Sequence, residues 1–161
     1  MTELEGWIEE RVRGRRVAVV GVGNRLRGDD GAGSQVGERL RAQCPAPVFD
    51  AGTVPENFLG VLIEFDPEVV VFVDAADHGG TPGSCCVAPP AALAARHAST
   101  HAPSLRLLAQ ILEARGIDCW LLGIQPASTA PGTELSPAVA AGVGAAAAAL
   151  ASVLARETHH A

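Results

Sequence analysis

Two adjacent carboxylates in a glycine-rich turn, Asp29 and Asp30, are the residues of this sequence best placed to do chemistry. They lie in Gly21-Val22-Gly23-Asn24-Arg25-Leu26-Arg27-Gly28-Asp29-Asp30-Gly31-Ala32-Gly33, after an apolar run (Val17 to Val20) and before a helical pattern with Val36 and Leu40 on one face. Strand, glycine-rich turn and helix in that order place a binding site at the C-terminal end of a parallel strand. A nucleotide phosphate at such a turn would be met by backbone N–H groups. Two carboxylates would repel it, so this mouth suits a cation. Other strand ends bring further groups to the same edge: Gly52, Thr53 and Glu56 after the second strand, Asp74 and Asp77 after the third, and Gln125 after the last. His101 stands before a long helix, in a loop able to reach that edge. Asp30, Asp74 and His101, two carboxylates and an imidazole, form a common ligand set for a divalent transition metal.

Each of these residues also has an ordinary structural reading. Asp30 can be the N-cap or first-turn acid of the helix that follows. Asp74 can hydrogen-bond a turn, and His101 can be an exposed loop histidine beside a helix capped by Ser99 or Thr100. Asn24 fits an Asx turn that shapes the loop, and Asp29 fits support of the turn better than metal binding. His78, His97, His159 and His160 have no supporting context. Arg11, Arg13, Arg15 and Arg16 cluster as a solvated helix-to-strand corner.

The elements that must position these groups follow from periodicity. A short amphipathic helix is expected over 3–12, with Leu4, Ile8 and Val12 spaced by four, then a strand over 16–22 and a helix over 31–42. A short strand from Pro47 to Asp50 leads through Gly52-Thr53-Val54-Pro55-Glu56-Asn57 into a helix ending near Phe65. The unbroken run Val69-Val70-Val71-Phe72-Val73, closed by Asp74-Ala75, reads as a strand buried on both faces at the centre of a sheet. Ser84 to Ala88 reads as an edge strand. A helix with Leu105, Leu108, Ile111 and Leu112 as its apolar face follows residues 100–104 and ends at Gly116. Cys119 to Ile124 is the last strand. Leu135 to Ala155 carries no charge, but its alanines and its stripe of Val139, Val143, Leu150 and Leu154 describe a packed terminal helix, not a membrane span. Strands alternating with helices specify an α/β fold. It is a three-layer α/β/α sandwich on a mostly parallel central sheet of about five strands, with one edge strand free to run antiparallel. Residues 1–161 are expected to form a single domain whose tail frays from about 157.

Composition narrows the function. Net charge is −6 with a pI near 5.3, which argues against nucleic acid as a partner. All 12 basic residues are arginine, so Schiff-base chemistry and a Walker-type phosphate lysine are excluded; Tyr is absent as well. Cys44, Cys85, Cys86 and Cys119 form no C-x-x-C pair and read as reduced, mostly buried thiols of a cytoplasmic protein. No signal peptide is expected, because residues 1–16 lack an apolar core. There is no H-E-x-x-H helix and no G-x-S-x-G elbow. A dinucleotide fingerprint starting at Gly21-x-Gly23, with Asp50 ending strand two, fails at its third glycine, where Leu26 stands.

Taken together, G-V-G-N-x-L-x-G-D-D-G-A-G at 21–33, Pro55-Glu56-Asn57, Val73-Asp74-Ala75, Ser99-Thr100-His101 and Leu122-Gly123-Ile124-Gln125-Pro126 resemble the maturation endopeptidases of nickel–iron hydrogenases. The resemblance is close to the branch serving the formate-hydrogenlyase-type (hydrogenase 3) enzyme. It covers roughly residues 17–126 in the family's order. The resemblance implies an endopeptidase that cuts the C-terminal extension from the hydrogenase large-subunit precursor after nickel insertion. It assigns the catalytic and metal-contacting positions to Asp30, Asp74 and His101. Many relatives carry Glu where Asp30 stands. The nickel would come with the precursor, held by its thiolates, and no organic cofactor is implied. A monomer, without membrane insertion, is expected. An aspartic-type dyad of Asp30 and Asp74 is the second mechanism, and a non-catalytic nickel-binding chaperone for the same precursor is the alternative function.

Overall fold

The computed structural model describes residues 1–94 and 101–158. Helix α1 (Glu3–Val12) leads into β1 (Val17–Val22), which passes through a 3-10 turn (Gly28–Gly31) into α2 (Ala32–Arg41). Strand β2 (Val48–Gly52), a second 3-10 turn (Pro55–Phe58) and α3 (Leu59–Phe65) come next. Strand β3 (Val69–Ala75) precedes β4 (Cys85–Ala88) and a short helix α4 (Pro90–Ala94). The chain closes with α5 (Ala102–Ala114), β5 (Asp118–Ile124) and α6 (Pro137–Thr158).

The strands form one five-stranded sheet in the order β2-β1-β3-β5-β4. All neighbours run parallel except β4, which pairs antiparallel with β5. The expected edge strand is therefore the antiparallel one, and the expected central strand, β3, is flanked on both sides and buried along its whole length. Side chains alternate between two cores, as the pleat requires. Val17, Val19, Val69, Val71 and Val73 face α1, α2 and α6, joining Ile8, Val12, Val36, Leu40, Val143 and Leu150. Ala18, Val20, Val22, Val70 and Phe72 face the other way, joining Leu62 of α3 and Leu105, Leu108 and Leu112 of α5. Helices cover both faces, so the sandwich has three layers.

Several details differ from expectation for local reasons. Ile111, expected on the buried face of α5, is 38% exposed, and Ala109 takes its place in the core. Helix α4 was not foreseen; it starts at a proline, which favours a first helical position. Gly116, at φ +83°, ends α5 as expected, with its N–H bonded to Glu113 O at 2.9 Å. The arginine corner is spent locally: Arg15 pairs with Asp118 at 3.1 Å, Arg16 with Glu68 at 3.4 Å, and Arg11 lies 4.4 Å over the Trp120 ring. The expected stripe of α6 (Val139, Val143, Leu150, Leu154) is buried. The segment Pro137–Glu157 is long and apolar enough to cross a membrane by length and composition, and 50% of its apolar 18-residue stretch is buried inside the fold. None of the four cysteines forms a disulfide, but only Cys119 is buried; Cys44, Cys85 and Cys86, expected inside, are half-buried. Burial pushes the Cys85 thiol up to about 11 and Cys119 up to about 12. His97, Ser99, Thr100, His159 and His160 lie outside the described residues, and with them the expected cap of α5 and the end of the tail.

Candidate active site

The carboxyl ends of β1, β3 and β5 converge as a parallel sheet requires. Asp74 is the penultimate residue of β3, opposite Gly123 of β5. Asp30 sits in the 3-10 turn between β1 and α2, and His101 immediately precedes α5. Asp30 does not cap α2: the N-cap position is Gly31, and no side chain caps there. The reason this turn can lie so close to β3 is Gly33, at the start of α2. A Cβ at that position would overlap the carbonyl oxygens of Val73 and Val22, so only glycine lets the helix seat against both strands.

Asp30, Asp74 and His101 are 2%, 0% and 8% exposed. His101 bridges the carboxylates, with Nε2 3.7 Å from Asp30 Oδ2 and Nδ1 3.6 Å from Asp74 Oδ1. One ligand atom from each lies within 4.8 Å of the others. One ion takes a single ring nitrogen of His101, and with one carboxylate oxygen from each aspartate that mixed oxygen–nitrogen donor set suits a borderline divalent cation. Burial acts to lower the His101 pKa, but the Asp74 carboxylate beside it, helped by Asp30, more than offsets this and holds it above the ordinary value. An imidazolium there partly compensates two buried carboxylates, and a divalent cation would take its place with release of a proton.

Other residues gathered at this edge have structural tasks. Asn24 Oδ1 accepts from Leu26 N at 3.0 Å, the expected Asx turn. Gln125 organises the loop after β3: its Oε1 accepts from His78 N at 2.8 Å and Gly80 N at 3.3 Å, and its Nε2 donates to Asp77 Oδ1 at 3.1 Å. His78 Nε2 lies 3.0 Å from Ser84 O. Glu56 and Thr53 are exposed and stand outside the Asp–Asp–His cluster. Asp29 supports more than its own turn, since its carboxylate bonds residues 127, 128 and 136.

One group was missed by sequence reasoning. Arg25 donates to Ser34 Oγ (3.0 Å), Glu38 Oε2 (2.6 Å) and Asp50 Oδ2 (3.2 Å), and Ser34 Oγ donates to Asp50 Oδ1 at 2.6 Å. Both Asp50 carboxylate oxygens are thereby engaged by Arg25 and Ser34, which weakens the case for Asp50 as a ribose partner. Arg25 and Ser34 lie nine residues apart on a turn and a helix, and only the fold shows that they meet.

Fold and site together define an α/β protein with a buried carboxylate–imidazole cluster of metal-ligand type at the carboxyl edge of its sheet. The family model described as HycI, hydrogenase maturation protease, matches residues 34–153. The hydrogenase 3 maturation protease of Escherichia coli K12 is 37% identical over 112 residues, which is 65% of this chain and 69% of that relative. The crystal structure of the [NiFe] hydrogenase maturation protease HycI from Thermococcus kodakarensis KOD1 superposes with a TM-score of 0.82 at 35% identity, covering 92% of this chain and 98% of that one. The E. coli maturating endopeptidase HybD follows at 0.74 and 25% identity, with 88% and 93% covered. This chain belongs to the hydrogenase maturation protease family.

Proposed function

We propose that this chain is the endopeptidase that removes the C-terminal extension of a [NiFe]-hydrogenase large-subunit precursor after nickel insertion, with Asp30, Asp74 and His101 touching the precursor's nickel. The observation that carries the reading is the buried bridge of two carboxylates by one imidazole, at ligand-to-ligand spacing, at the carboxyl edge of a hydrogenase maturation protease fold. The nickel is part of the substrate and arrives on the precursor's thiolates, so the three residues complete its coordination from the protease side. A nickel ion shared in this way would supply Lewis acidity to the scissile carbonyl or to the attacking water. Asp30 or Asp74 takes the proton of the attacking water, and the buried setting keeps bulk water from competing.

The placement of His101 between the carboxylates favours this over an aspartic dyad, in which two carboxyl groups share a proton directly. The whole chain is assigned to one domain acting as a cytoplasmic monomer, without an organic cofactor, nucleic acid or membrane insertion. In the test, the cognate precursor is incubated with wild type and with His101→Ala, with and without nickel, and read by intact mass. Loss of a C-terminal peptide only with nickel and intact His101 is expected. Cleavage of nickel-free precursor would remove the shared-metal mechanism. Nickel-dependent binding without cleavage would instead make the chain a maturation chaperone.

A further inference from the structure

We propose that Asp29 is a positioning residue of this active site: its carboxylate clamps the 127–136 segment onto the turn that carries Asp30, and the placement of the Asp30 carboxylate depends on that clamp. This rests on the protease reading above. Asp29 is fully buried, yet its carboxylate reaches across to a segment 98 to 107 residues away. Its Oδ2 accepts from Ala127 N and Ser128 N, both at 2.9 Å, and from Ser136 Oγ at 2.7 Å, while Oδ1 accepts from Ser136 N at 2.7 Å. The two backbones are joined as well. Asp29 N donates to Ser128 O at 3.0 Å, Gly28 N to Gly132 O at 2.8 Å and Gly132 N to Leu26 O at 2.9 Å.

This pattern exceeds what a turn needs for its own sake. The turn is already closed internally by Asp30 N to Arg27 O at 3.1 Å and by Asn24 N to Asp30 O at 3.0 Å. Gly33 seats α2 against β1 and β3 on the inner side. The Asp29 bonds fix the other side, one peptide unit from the acid that must meet His101 at 3.7 Å. Ser136 directly precedes α6, whose N-terminal peptide dipoles favour an anion, so a buried carboxylate is well suited to the post. Its two oxygens each have donors on fixed backbone, which leaves Asp29 little rotational freedom. An asparagine offers one acceptor oxygen, and its amide nitrogen would face a donor N–H. It cannot reproduce the clamp, and Asp30 shifts with the loosened turn.

The experiment measures steady-state cleavage of the nickel-loaded precursor by the full-length chain. Asp29→Asn is expected to lower kcat by about 100-fold, the scale of a reacting group misplaced by an ångström, with KM within about twofold. Ser136→Ala, which keeps the N–H but removes the hydroxyl donor, is expected to lower kcat by about tenfold, and Ser136→Thr to restore it. That pair carries the test if Asp29→Asn does not fold. Val12→Ala, in the core of α1 and distant from the carboxyl edge, supplies a variant of lowered Tm and is expected to keep its kcat. Wild-type kcat in Asp29→Asn and Ser136→Ala would overturn the proposal. So would a Val12→Ala loss of kcat equal to that of Asp29→Asn, because the effect would then be one of stability. A wild-type chain that does not cleave would overturn the protease reading itself, and this one with it.

Discussion

Asp30 and Asp74 place two carboxyl groups in the interior with one imidazole between them. In the proposed mechanism Asp30 touches the nickel and is one of the two carboxylates able to take the water's proton, so Asp30→Asn is expected to cost about 100-fold or more in kcat/KM of precursor cleavage. His101 gives a pH signature with a defined sign. Its folded pKa stands above the ordinary 6.5, so in the metal-free chain the stabilisation from its charged form is complete below 6.5 and fades as pH rises through the folded value. Thermal melts of wild type and His101→Gln should therefore differ most in mildly acidic buffer and converge toward alkaline pH. A constant gap would contradict the ion-pair account. Asp29 works in the opposite sense. Burial raises its pKa, but the N–H donors of Ser128, Ser136 and Ala127 and the Ser136 hydroxyl outweigh that and hold it below the ordinary 3.8. Its contribution is present above 3.8 and lost as pH falls through the folded value. Asp29→Asn should cost about 2 kcal/mol in neutral denaturant melts, with the gap closing in acid.

Two elements hold the site in place, and each makes its own prediction. Helix α2 meets β1 and β3 through Gly33, where a Cβ overlaps the Val73 and Val22 carbonyls. Gly33→Ala should destabilise the fold by about 1–3 kcal/mol, as overpacking does, and reduce cleavage further by displacing Asp30 and Asp74 relative to each other. Helix α6 contributes buried Leu150 to the core under α1 and α2, and Leu150→Ala should cost about 2–5 kcal/mol in chemical denaturation. These elements were legible in sequence for different reasons. β3 showed as an unbroken apolar run because both of its faces are covered, and Asp74 was readable because it closes that run. His101 was readable from motif order, not from spacing, since it is brought to Asp30 by α5 packing on the sheet. The reach of Asp29 to Ser136 and the meeting of Arg25, Ser34 and Asp50 left no local pattern, because those partners become neighbours only once the crossovers are made. Helical spacing turns Ile111 inward, yet the buried face of α5 is made of Leu105, Leu108, Ala109 and Leu112.

As a whole molecule, the chain packs one sheet between two helical layers, and β1 and β3 contribute alternate residues to both cores. Neither core can be lost without exposing the other side of the same strands. Unfolding is expected as one cooperative transition, with calorimetric and van't Hoff enthalpies in agreement, and two separate transitions would contradict a single domain. The parallel strands put the Asp30, Asp74 and His101 cluster at the carboxyl edge of the sheet, and the proposed function has the precursor bring its metal to that edge. The most direct measurement is nickel-edge X-ray absorption of the loaded precursor, alone and frozen with the protease during the first turnover. Oxygen or nitrogen scatterers joining the sulfur ligands with wild type, and fewer of them with His101→Ala, are the expected result. A nickel spectrum unchanged by the wild-type protease, while that sample goes on to cleave normally, would contradict the shared-metal site.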